Sequence, residues 1–444
     1  VEKYGAKKGC KMSRVKIIQF FILVCLMMAV IVLSAVSCGD DDDDSTGDDD
    51  DDSSGNDDDS ADDDSETDDD ADDDAAIIEG IACLQPVLPI PDAFEDVIKE
   101  LFDKYTYVEA PNGKPIHLFG QSNVSEAQLE RACTIMRFYL TDVPGSPHGG
   151  DKSPVANQMG DVEAALVYFN TQFDSTIAQI KLEIAGINYS FQDLYATESP
   201  IEGSAEYCHH IARDASYEEI FHLMHGHGID QGMPDYSTQI GQAKDAAMAA
   251  SIYHPAWDWD PDTIEKEYII SVIDVYYGLW AHEEGPSFGG EYDLNSRSDL
   301  QTQDTLGLAA VEAYLPPNIT HQVKLSSDFD GTFTLVFDPS TSYTHKSQYL
   351  QHISLTGEND ANIAGNDLDN TLKGNSGDNT LNGGAGVDAA IFTGSFSEYT
   401  ISSAGNEIIV EDNGLDRDGT DTLISIEKLK FDDQILDAAS LESN

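Results

Sequence analysis

Between Thr356 and Ile391 the chain repeats itself every nine residues: "TGENDANIA GNDLDNTLK GNSGDNTLN GGAGVDAAI". No other feature of the sequence restricts the fold so tightly. Ile363, Leu372, Leu381 and Ala390 hold one position in successive repeats, and Gly365, Gly374 and Gly383 open the last three. A single inward aliphatic residue per repeat suits a short strand. Glycine permits the tight turn that follows, and Asp and Asn oxygens can hold a hard cation between turns.

This pattern resembles the RTX (hemolysin-type) calcium-binding repeat, in which each nonapeptide adds a turn and a short strand to a parallel β-roll. The resemblance implies calcium bound within residues 356–392 by Asp367, Asp369, Asn370, Asp378, Asn379 and Asp388. The chain departs from the family at Asn370 and Asn379, where aspartate is preferred, and keeps it only at Asp388. A neutral oxygen weakens calcium affinity. Calcium is still expected to drive folding of this segment, because clustered carboxylates repel one another without it. Residues 393–444 continue with alternating apolar positions that predict strands, in "SEYTIS", "IIVEDN" and "DGTDTLISIEKLKFDD". They resemble the segment after the β-roll in secreted serralysin-like proteases. The resemblance implies an exported calcium-binding module and carries no information on catalysis.

The opposite end of the chain cannot build a core. Residues 40–74 are almost pure aspartate with small polar spacers, which predicts an extended, self-repelling tether over residues 38–76. Asp and Glu number 83 against 23 Lys and Arg, a formal net charge of -60 that argues against nucleic acid as a partner. Residues 1–37 comprise a leader before Met12, basic Arg14 and Lys16, an apolar run from Ile17 to Leu33, and small residues ahead of Cys38. That is the layout of a bacterial export signal, and "SAVSC" resembles a lipobox, with Ala35 where leucine is commonest. Lipidation of Cys38 would anchor the protein to the membrane at the cell surface. The alternative is an uncleaved signal anchor, since the apolar run approaches a membrane span. Of the later cysteines, Cys83, Cys133 and Cys208 allow at most one disulfide and leave one thiol free.

Residues 77–320 form the main globular unit, read as a mostly helical α+β domain, with residues 321–355 as a β connector to the repeats. Helices are predicted in "DAFEDVIKELFDKY", "SEAQLERACTIMRFYL", "GDVEAALVYFNTQF", "DASYEEIFHLMHGHGI", "QIGQAKDAAMAASIY", "DTIEKEYIISVIDVYYGLW" and "DTLGLAAVEAYL". Strands are predicted in "PIHLFG" and "IKLEIAGINYSFQDLY".

The stretch from Ser216 to Ile229 carries the chemistry. On a helix Glu218, His222 and His225 share one face. "EEIFH" is the zinc-protease pattern HExxH with its first histidine replaced by Glu218. The segment resembles zincin-like metallopeptidases of the gluzincin type, which draw a third ligand from a later helix. The resemblance implies zinc held by Glu218, His222 and Glu267, with His225 as an alternative ligand and Glu219 as the general base that activates water for attack on a peptide. His282 in "AHEE" competes with Glu267, and Cys208 with His209 or His210 forms a further local cluster. The bland alternative is an ordinary i,i+4 pair of Glu218 and His222 on a solvated face. The sequence thus points to an exported calcium-binding surface protein with a zinc peptidase-like domain, or to a non-catalytic adhesion lipoprotein whose metal site has decayed.

Overall fold

A computed structural model describes residues 79–441, apart from 188, 212, 258, 280–289, 339, 342–343 and 415–416. The export signal, Cys38, the aspartate run and His282 lie outside the described residues.

The first layer is a five-stranded sheet in the order β1 (Leu88–Pro89), β2 (Lys104–Glu109), β3 (Pro115–Gly120), β4 (Ala164–Phe169), β5 (Ser190–Tyr195). β2 and β3 form an antiparallel hairpin, while β3, β4 and β5 run parallel. Parallel neighbours need crossovers. Helices α2 (Glu126–Leu140) and α3 (Ser153–Asp161) supply the first, and α4 (Gln172–Ile184) the second. α2 begins with a capping box, in which Ser125 accepts from the Gln128 amide and the Gln128 side chain accepts from the Ser125 amide.

Three expected elements differ. Residues 160–173 contain strand β4 instead of a helix: every residue of "AALVYF" is buried. A continuous apolar run is what a parallel strand covered on both faces requires, and period alone cannot separate it from a buried helix. The strand expected over residues 180–195 is split. Its first part completes α4, which gives way to Gly186 at φ 69° before β5 begins. The helix expected over residues 92–105 is confined to α1 (Asp96–Leu101), after which the chain turns into β2.

Among the described residues, the helices of seven or more residues that follow the sheet are α5 (Ser216–Met224), α6 (Pro234–Ala249), α7 (Pro261–Tyr277), α8 (Arg297–Gln303) and α9 (Thr305–Glu312). Asp260 caps α7 by accepting from the amides of Asp262 and Thr263, Pro261 opens it, and Gly278 closes it at φ 62°. Cys83 is bonded to Cys133 of α2, and Cys208 is free.

Beyond α9 the chain winds between two six-stranded sheets. One contains β6 (Ile319–Lys324), β8 (Leu350–Ser354), β10 (Thr371–Lys373), β12 (Ala389–Ile391), β16 (Lys428–Lys430) and β17 (Ile435–Asp437). The other contains β7 (Thr332–Thr334), β9 (Asn362–Ala364), β11 (Thr380–Asn382), β15 (Thr420–Ile424), β14 (Glu407–Asp412) and β13 (Tyr399–Ala404). Consecutive repeats alternate between the sheets, so each strand pairs in parallel with the one two repeats away: Leu372 opposite Ala390, Leu381 opposite Ile363. The connector is built into the winding, since β6 pairs with β8 and β7 with β9. Ile363, Leu372, Leu381 and Ala390 are all buried, in a core that continues without a break into the helices. Successive turns stack so closely that a Cβ on Gly365 would collide with the Gly383 carbonyl.

Candidate functional site

Helix α5 is clamped from behind before it presents any chemistry. Asp214, one residue before its N-cap, is buried and accepts from the Ser216 amide at 3.1 Å. Arg131 of α2 reaches both Asp214 and Glu202, with Nη2 2.8 Å from Asp214 Oδ2 and 2.7 Å from Glu202 Oε1, and donates from Nη1 to Ser216 Oγ. Lys346 completes the network on Asp214. Burial opposes the Asp214 charge, but Arg131 and Lys346 outweigh it and hold this carboxyl well below its ordinary range.

The front of α5 turns Glu218, Glu219 and His222 into one cleft. Their ligand atoms lie within 4.8 Å of one another, the only such group among the described residues. α7 crosses α5 and brings Glu267 Oε1 to 3.9 Å from His222 Nε2. His222 is buried, and its Nε2 has no hydrogen-bond partner among the described residues. Its other ring nitrogen, Nδ1, faces Glu219 Oε2 at 3.5 Å, and that oxygen accepts from Gln192 Nε2 of the outer strand β5 at 2.7 Å.

The electrostatics are those of crowded, half-dry acids. Burial disfavours a charged His222, yet Glu219, Glu267 and Glu218 together hold its pKa above the ordinary value. Burial pushes Glu267 up to about 7, with His222 opposing the rise. Glu198 is likewise pushed to about 7 by burial, against Arg213. Glu218 is raised by burial and partly restrained by the Arg213 guanidinium, which is paired with it. Deeper on α7, buried Asp274 is held far above its usual range by desolvation, and its Oδ2 has no partner among the described residues.

Four residues anticipated for zinc chemistry therefore meet: Glu218, Glu219, His222 and Glu267. His225 does not join them. Its Nε2 points to Asp230 Oδ1 at 3.4 Å, and burial drives its pKa down to about 3. The glycines that follow do not stop the helix. Residues His225–Ile229 form one π-helical turn, and a Cβ on Gly228 would fall 2.7 Å from Val155 Cγ1, so glycine is what lets α3 approach. Cys208 sits in the short helix Ala205–Cys208 and belongs to no metal-ligating group among the described residues.

Arg213, Gln192, Glu198 and Asp274 escaped the sequence reading. Glu198 carries no signal among 83 acids, but Arg213, one of 23 cations, stands five residues before Glu218. In so acidic a chain, such placement is informative.

The residues anticipated for calcium separate into two kinds. Asp367, Asp369 and Asp378 are exposed, whereas Asn370, Asn379 and Asp388 are buried. Asp369 Oδ1 accepts from the Val387 amide at 2.8 Å and Asp378 Oδ1 from the Thr420 amide at 2.9 Å, each a bond between stacked turns. Among the described residues, none of them belongs to a metal-ligating group like that of Glu218, Glu219 and His222.

Comparison of the chain with protein-family models, curated proteins and solved structures finds no match.

Proposed function

We propose that the cleft between α5 and α7 holds a divalent cation and hydrolyses a peptide bond, in a protein exported to the cell surface and tethered there through Cys38. One observation carries the cation: a buried imidazole nitrogen without a partner, at 3.9 Å from a carboxylate on a second helix. Buried polar atoms are rarely left unpaired without a reason. The donor set of one imidazole and two carboxylates fits zinc or a similar ion that accepts nitrogen and oxygen. Glu218, His222 and Glu267 are the residues that would hold it. When bound, such an ion supplies Lewis-acid polarisation of water or a carbonyl.

The chain's own groups supply the rest. Glu219, steadied by Gln192, is the proton acceptor for the attacking water and the donor to the departing amine. β5 is the outer strand of its sheet among the described residues and flanks the cleft, so an extended peptide can pair along its edge. Export and tethering rest on the sequence of residues 12–74. Among the described residues no helix is long and apolar enough to cross a membrane.

A second reading is favoured by one contact. Arg213 already neutralises Glu218, as a cation of the chain's own would in a non-catalytic adhesion protein whose metal site has decayed. Metal analysis of the purified full chain separates the two. One zinc-sized ion per chain, lost on His222→Ala, supports the cleft as a metal centre. Metal-free protein that still folds, with any hydrolysis unaffected by Glu219→Gln, supports the adhesion reading.

A further inference from the structure

The repeats handle their own polarity in a way the cleft does not, and this bears on calcium. In the repeat opened by Gly365, buried Asn366 and Asn370 stand four residues apart, and in the next repeat Asn375 and Asn379 take the same places. Each oxygen accepts a main-chain N–H: Asn366 from Leu368, Asn370 from Asn366, Asn375 from Gly377 and Asn379 from Asn375, all at 2.8–2.9 Å. Each amide nitrogen donates to carbonyls of the preceding turn. Asn366 reaches the Gln348 carbonyl at 3.1 Å, Asn370 that of Leu350 at 3.4 Å, Asn375 that of Thr356 at 3.0 Å and Asn379 that of Ala361 at 2.9 Å.

We infer that these four asparagine amides take the part of a bound cation, holding the first two full repeats in register without calcium. Converging main-chain carbonyls need a positive partner, which a metal ion or an N–H donor can provide. Here the donor is covalently part of the turn. A calcium ion among the carbonyls of the preceding turn would have to displace the Asn379 side-chain N–H from Ala361, leaving a buried donor unpaired. Calcium therefore does not fit the first two turns, in contrast to what the family resemblance implies. The third repeat sharpens the point. Gly384 replaces the first asparagine and Asp388 the second, and Asp388 Oδ2, although buried, has no partner among the described residues. The amide clasp ends where the family's preferred aspartate begins.

Hydrogen–deuterium exchange of the full chain, followed by mass spectrometry on peptides covering 362–382, tests this in excess EGTA and in millimolar calcium. Peptides covering α5 and α7, followed in the same experiment, report separately on loss of an ion from the cleft. Exchange in EGTA is expected to stay within about twofold of that in calcium. Exchange faster by about tenfold in EGTA, restored by calcium, overturns the inference. The double variant Asn375→Asp/Asn379→Asp places carboxylates against the same carbonyls. It is expected to exchange at least tenfold faster in EGTA and to recover in calcium, and protection equal to the unaltered chain in EGTA also overturns the inference. Should the variant not fold, the unaltered chain alone decides.

Discussion

The cleft and the repeat winding are both crowded with acidic and amide oxygens, and they resolve that crowding differently. In the winding, Asn370, Asn379, Asp369 and Asp378 each accept a main-chain N–H from their own or a stacked turn. In the cleft, Glu218, Glu219 and Glu267 meet His222 with few donors at hand, Arg213 and Gln192 foremost among them. Acidic composition is therefore no guide to where an ion is needed. The guide is whether local main chain can satisfy the oxygens. A turn every few residues exposes amides that can, whereas α-helix spends its amides on its own carbonyls.

The largest effect expected from breaking this contrast is on activity. Glu219→Gln keeps the contact with Gln192 but removes the proton acceptor. If the cleft is hydrolytic, turnover of a peptide substrate should fall by about 100- to 10,000-fold while the ion content is unchanged. Equal turnover would show that the cleft does not work this way.

Asp214→Asn comes next, because it strikes the clamp behind the cleft and leaves the winding's own bonds alone. Removing the negative charge that Arg131 and Lys346 share, with Glu202 still holding Arg131, should cost about 3–5 kcal/mol in denaturant unfolding, and metal affinity should fall with it. A loss below about 1 kcal/mol would mean that water or neighbouring groups compensate the charges.

A smaller, pH-dependent effect should belong to the winding. Buried Asp421 accepts from the Asn379 amide, and burial raises its pKa to about 8 from 3.8. Between those values the folded chain keeps a proton that the unfolded chain has lost, so stability falls as pH rises through the window. Asp421→Asn should stabilise the protein at pH 9 and leave it unchanged at pH 4, as measured by thermal melts. A gain that does not vary with pH would assign the effect to packing instead of charge.

The smallest effect is expected at His225, which shares the helical face of His222 in sequence but turns its Nε2 toward Asp230 in the fold. His225→Asn should change ion affinity in calorimetric titration by no more than about twofold, against at least tenfold for His222→Ala. A comparable loss for both would place His225 among the ligands after all.

How far the sequence could be followed depended on whether the decisive interaction was local. The nine-residue register and the inward row from Ile363 to Ala390 are short-range patterns, and the structure contains each where the residues place it. The one-turn spacing of Glu218 and His222 was legible for the same reason, since a helix dictates which neighbours share a face. Only tertiary structure decided that "AALVYF" is a strand, because a doubly covered strand and a buried helix present the same apolar run. Only tertiary structure aimed Glu267 at His222, turned His225 aside and set Arg213 against Glu218, since those contacts depend on how α5 and α7 cross. The same holds for the asparagines. Sequence spacing supplies the oxygen atoms at each turn, but whether an amide nitrogen meets a carbonyl is decided by the turn stacked beside it.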